Sequence, residues 1–167
     1  KNQTSKKLSV TIPKGVDDGT RIRLAGKGEA GVKSGGNGDL YLFINVRSHE
    51  LFKRSEENLF FEYPISIADA ALGTSLEIPT IDGGKAKLQI PEGAQNGSKY
   101  RLKSKGMTVL NAGGRRGDMY VKIEIETPIK LSMEERDLLK KLEELMESKK
   151  NNPKSTSFFK KVSGLFS

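Results

Sequence analysis

The chain has 167 residues, with 29 Lys and Arg against 21 Asp and Glu and a formal charge of +8, which is length enough for one ordinary domain or two small ones. Cysteine is absent, which excludes disulfides, thiolate zinc sites and cysteine nucleophiles. No run reaches the roughly 18 apolar residues that span a bilayer and no charged-then-apolar leader opens the chain, so it reads as soluble and cytoplasmic.

In chain order, "LSVTI" alternates as a strand and runs into Ile-Pro-x-Gly, where Pro13 removes a ladder donor and Gly15 permits a turn. "DDG" makes a second turn, closed by Gly19, and "TRIRL" a second strand. "GKGEAG" (Gly26–Gly31) then matches the GxGxxG pattern of dinucleotide-binding loops. Such a loop must open directly into a helix whose free N–H groups face the phosphate. Here more glycine and the alternating strand "DLYLFINV" follow, so the stretch reads as a loop between strands. Leu40, Leu42, Ile44 and Val46 share one face of that strand.

The unit then recurs. "VTIPKGVDDGTRIRLAGKG" (Val10–Gly28) and "LQIPEGAQNGSKYRLKSKG" (Leu88–Gly106) share eight of nineteen residues at an offset of 78, and "GDLYLFINV" pairs with "GDMYVKIEI" after one inserted residue. Of the three loop glycines only the middle one, Gly28, persists in the second copy, as Gly106. Between the copies, "NLFFEYPISI" reads as a strand and "ADAALG" as a short helical turn closed by Gly73. "SLEI" and "KAKLQI" read as a hairpin across "TIDGG". The second unit is thus complete from Leu51, and the offset places the start of the first about 27 residues before Lys1. The first is expected to be truncated and to expose a strand edge.

After Pro128 the period changes from two to 3.6. Ser132 and Glu135 form a capping box, and Leu138, Leu139, Leu142, Leu145 and Met146 make one apolar stripe. That stripe can dock on its own domain or on the same helix of a second chain. "NNPKSTS" reads as a linker. The end, Lys149 to Ser167, holds five Lys and no acid, with Phe158, Phe159, Val162 and Phe166 at helical intervals; that spacing among lysines allows an amphipathic membrane-surface or docking helix, while its short length and Gly164 favour a mobile tail.

Catalytic chemistry is hard to place. His49 is the sole histidine and no nucleophile motif accompanies it. Asp17 with Asp18 and Glu56 with Glu57 are neighbours, and neighbours on a strand point to opposite faces. The chain speaks for binding, with no catalytic residue and no metal ligand set. Its net charge and basic end leave open a β-module that binds nucleic acid, although no stacking pair of the RNA-binding type stands on a strand.

The order "LSVTIPKGVDDGTRIRLAGKGEAG", "GDLYLFINV", "HELFKR", "ADAALGTSLEIPTIDG", "IPEGAQNGSKYRLKSKGM", "GDMYVKIEIETP" and "SFFKKV" resembles the carboxy-terminal part of the bacterial DnaJ co-chaperones over nearly the whole chain. The resemblance implies a mostly β fold of two consecutive β-sandwich-like domains, the first truncated at its N-terminus, followed by a C-terminal dimerisation helix. The boundaries are 1–50 for the remaining part of the client-binding domain, 51–131 for the second domain, 132–149 for the helix and 150–167 for a basic flexible tail. It also implies that unfolded polypeptide is held in a hydrophobic groove at Leu8 and Leu42; alternation adds Val10 and Ile44 as neighbours. The expected partners are unfolded clients, a DnaK-type ATPase chaperone and a second copy of the chain, with no nucleic acid and no membrane. The J domain and the cysteine-rich zinc region of the family would lie upstream, so zinc binding and ATPase stimulation are not carried over and no cofactor is expected in this chain.

Overall fold

The computed structural model describes residues 5–31 and 35–167. It divides into a β-rich unit, Lys1–Glu126, and a helical unit, Thr127–Ser167.

The core of the β-rich unit lies in the second repeat. Strand β4 (Asn58–Ser66) pairs with β3 (Lys53–Ser55) on one side and runs parallel to β8 (Met119–Glu126) on the other, and β7 (Lys99–Leu102) closes the sheet against β8. The hairpin β5 (Thr74–Pro79) and β6 (Lys85–Ile90) forms a second, smaller sheet. Alternation sends Leu59, Phe61 and Ile65 of β4 and Met119, Val121 and Ile123 of β8 to one side. There they join Leu76, Ile78, Leu88 and Ile90 of the hairpin in one cluster, two unequal sheets packed as a sandwich. Ala70 enters the same core from α1 (Ile67–Leu72), a helix capped by the Ser66 hydroxyl and ended by Gly73 at φ 79°.

Two features of this sheet have no simple counterpart in the sequence pattern. "FKRS" is too short to show a period, yet it supplies the edge strand β3. The pairing of β4 with β8, between residues some 60 apart, is set by the shared apolar faces of the two strands.

The hairpin turn is stabilised by Asp82. Its carboxylate accepts from the Thr80 hydroxyl and the Gly84 N–H and pairs with Arg116 at 3.4 Å. These contacts, the Thr80 hydroxyl first, hold its pKa at about 2.

In the first repeat, β1 (Arg21–Leu24) and β2 (Leu40–Phe43) form a two-stranded antiparallel ladder, Ile22 opposite Leu42 and Leu24 opposite Leu40. The expected strand through Leu8, Val10 and Ile12 is not formed: residues 5–12 have no regular secondary structure. Its counterpart β6 is a strand because β5 pairs with it, whereas among the described residues no strand pairs with residues 5–12. The loop after "GKGEAG" includes Val32–Ser34, also outside them. Among the described residues no helix follows Gly31, and the chain re-enters a strand at Leu40.

In the helical unit, α2 (Met133–Lys149) starts at the expected box: the Ser132 hydroxyl accepts from the Glu135 N–H, and the Glu135 carboxylate accepts from the Ser132 N–H. The Ser132 N–H first, and then the Ser132 hydroxyl, lower the pKa of the Glu135 carboxylate. The stretch read as linker and tail is helical instead, as α3 (Pro153–Leu165). Pro153 sits near the helix start, where its missing N–H costs nothing, and Gly164 falls in the last turn, where its entropy cost is small.

Candidate functional site

The two repeats share a hydrogen-bond network down to single atoms. The Gly19 N–H donates to the Ile44 carbonyl and the Ile44 N–H to Thr20, while Gly97, Ile123 and Ser98 do the same. The Asp18 carboxylate accepts from the Val46 N–H, and Asn96 accepts from Ile125. Asp39 takes the Gly26 N–H and pairs with Arg23 at 2.7 Å; Asp118 takes the Ser104 N–H and pairs with Arg101 at 2.8 Å. The persistence of the middle loop glycine has a steric cause. A Cβ on Gly28 would meet the Asp39 carbonyl at 2.5 Å, and one on Gly106 would collide with the Glu57 carbonyl. Gly26, by contrast, is matched by Ser104, which itself takes a positive φ of 61°.

Where the repeats differ is in what covers their apolar faces. Met119, Val121 and Ile123 on β8 are wholly buried. Their counterparts Leu40, Leu42 and Ile44 are only half-buried, as are Ile22 and Leu24 across the ladder. Leu42 and Ile44 therefore stand on one face, as alternation requires. Val10 is half-buried and Leu8 is 42% exposed. Among the described residues, no backbone hydrogen bond ties the Leu8–Val10 stretch to β2. Leu42 and Ile44 are thus brought together, and Leu8 and Val10 stay outside the ladder.

Arg54, in "HELFKR", holds the two repeats together, a role its sequence context does not reveal. Its guanidinium donates to the Val16 carbonyl at 2.9 Å and to Gly15 at 3.3 Å, and lies 3.6 Å from Asp17. Gly15 is tied to the same junction, since a Cβ there would strike Thr108 and Leu110. His49 also has a structural task. Its Nδ1 accepts from the Leu51 N–H at 3.0 Å and its ring lies against Phe52.

A concavity of about 370 Å³ lies on the outer face of the four-stranded sheet, lined in part by Phe60, Tyr120, Lys53, Lys99 and Lys122. Phe60 stacks on Tyr120 at 5.4 Å. The signal for it is the first aromatic of "LFFEY", Phe60, which alternation places outward.

On α2, Leu138, Leu142 and Leu145 are 61%, 49% and 59% exposed, and Leu139 and Met146 are half-buried. The five form the expected stripe. Among the described residues no group of three or more His, Cys, Asp or Glu is placed to hold a metal. Without cysteine the donor set of a thiolate zinc site is missing altogether.

The model of the DnaJ C terminal domain matches residues 1–128, and that of the chaperone protein DnaJ C-terminal region matches residues 134–167. The chain belongs to the DnaJ family. DnaJ proteins are co-chaperones, and the relatives are named accordingly. The chaperone protein DnaJ of Pelagibacter ubique is 66% identical over 96% of this chain and 42% of its own length. The corresponding protein of Roseobacter denitrificans is 54% identical over 93% of the chain and 40% of its own length, and that of Cereibacter sphaeroides (strain KD131) 51% over 98% and 42%. The chain thus spans about two-fifths of these DnaJ relatives, their C-terminal part.

Proposed function

We propose that this chain is the polypeptide-binding and dimerising part of a DnaJ co-chaperone, and that Leu42 and Ile44, with Leu8 and Val10, form its client groove. The observation that carries this reading is the apolar face of β1 and β2, continued by Ile44 just past β2, which holds five aliphatic side chains and buries none of them completely. An extended client laid beside such a sheet pairs through its backbone, which is common to all sequences, and drops alternate apolar side chains onto the face. The groove thus recognises unfolded chain by exposure of backbone and apolar groups and needs no reacting residue.

Dimerisation through the α2 stripe follows the same logic. Two weak grooves on one dimer raise each other's effective concentration on a long client. In the longer protein, a J domain would hand that client to a DnaK-type ATPase in the cytoplasm. Sedimentation of the wild type against Leu138→Asp/Leu142→Asp checks the helix: a dimer that falls to monomer supports it, and an unchanged mass removes it.

The groove is tested with a fluorescent apolar peptide titrated against wild type and Leu42→Ser. Removing a buried Leu contact weakens binding about tenfold or more. Undiminished affinity in a variant whose near-ultraviolet dichroism matches the wild type rejects the assignment.

A further inference from the structure

Helix α3 is not used by the function above, and its two faces differ in kind. Phe158, Phe159, Val162 and Leu165 follow at spacings of one, three and three residues, which puts them on one side of a helix with 3.6 residues per turn. Three of them stand open, with Phe158 59%, Phe159 63% and Leu165 79% exposed, and the two phenyl rings pack edge to face at 5.4 Å. Lys160 falls on the opposite side, while Lys154 and Lys161 lie together along one border of the apolar one, beside Leu165. From Lys149 to Ser167 there are five lysines and no acid.

The charge decides what such a face fits. Pairing α3 with α3 of a second copy would gather the lysines of both chains with no carboxylate in the segment to offset them. An anionic surface meets both halves of the pattern, apolar rings going below the headgroups and lysines staying among them. At 13 residues the helix is too short to cross a bilayer, which suits a position in the interface. We propose that α3, with the lysines preceding it, is an interfacial anchor that lays this chain on anionic lipid. The expectation of no membrane partner follows from reading the segment as a mobile tail, and a formed amphipathic helix removes that premise.

The test is co-sedimentation of the full chain with vesicles of pure phosphatidylcholine and with vesicles containing about 30 mole per cent phosphatidylglycerol. Each lysine near such a surface strengthens binding about fivefold, so the wild type is expected to partition at least tenfold more strongly to the anionic vesicles. Lys160→Glu/Lys161→Glu should lose at least twentyfold of that partition, and Phe158→Ser/Phe159→Ser should lose it entirely. All four side chains are exposed, so the β-rich unit folds in either variant. Equal partition to both vesicles, partition unaffected by the phenylalanine substitutions, or dissociation of a lipid-free oligomer by those substitutions would overturn the proposal. Tighter binding to polyglutamate than to the anionic vesicles would do the same, by making an acidic polypeptide the occupant.

Discussion

Ile123→Ala is expected to destabilise the β-rich unit by about 3–4 kcal/mol, the range for emptying a fully buried aliphatic site that cannot collapse. Ile123 is wholly buried at the middle of β8, the strand paired on both sides, by β4 and β7. Neither neighbour can move in to fill the space without breaking a ladder. Set against a typical total stability of about 5–15 kcal/mol, the loss should bring the urea midpoint down steeply. The repeat supplies its own control. Ile44 has the same backbone bonds but is half-buried, so Ile44→Ala should cost only about 1 kcal/mol. Equal losses at the two positions would show that burial does not distinguish the repeats.

Gly117→Ala is the second large effect, expected at about 3 kcal/mol. A Cβ there would lie inside contact distance of the Glu57 backbone, and Glu57 cannot retreat: its carbonyl accepts from the Met107 N–H at 2.8 Å. Just beyond, the Asp118 N–H donates to the Asn58 side-chain oxygen and the Leu59 N–H to the Asp118 carbonyl, each at 3.0 Å. The turn between β3 and β4 is therefore pinned onto β8 at a point where only hydrogen fits. Gly38 occupies the same place in the first repeat, yet among the described residues a Cβ there would come no nearer than 3.8 Å, to the Glu29 carbonyl, which is ordinary contact. Gly38→Ala should change stability by less than about 0.5 kcal/mol. Urea unfolding of the pair checks both, and a mild Gly117→Ala would contradict the close packing of Glu57 on β8.

Much of this fold could be read in the residues, because the signals that matter are local or repeated. The duplicated Pro-x-Gly and Asx-Gly turns mark where both copies bend, and the Ser132–Glu135 box marks the start of α2 to the residue. What escaped was of two kinds. Some features depend on partners far along the chain: β3 exists because β4 is beside it, and the Leu8–Ile12 stretch, with equally good alternation, stays irregular because a strand is defined by the ladder it joins. Others depend on a side chain whose role only the packed state reveals, such as Arg54, which looks like any surface arginine in "HELFKR". The α3 segment was obscured by its composition. Ser, Thr and Asn favour caps and turns over helix interiors.

The same reasoning applies to the groove. Leu8 and Leu42 rest on resemblance and Val10 and Ile44 on period two, and of these the structure keeps Leu42 and Ile44 on one face and leaves Leu8 and Val10 outside the ladder. The central claim is that this chain grips extended polypeptide through apolar sheet surface rather than through charge. It is tested most directly by titrating a fluorescent apolar peptide, and separately a single-stranded oligonucleotide, at about 50 and about 500 mM salt. The account predicts peptide affinity that changes less than about twofold between the two salts, and oligonucleotide binding that is weaker at both. Peptide affinity that collapses with added salt, or an oligonucleotide bound more tightly than the peptide, would contradict it.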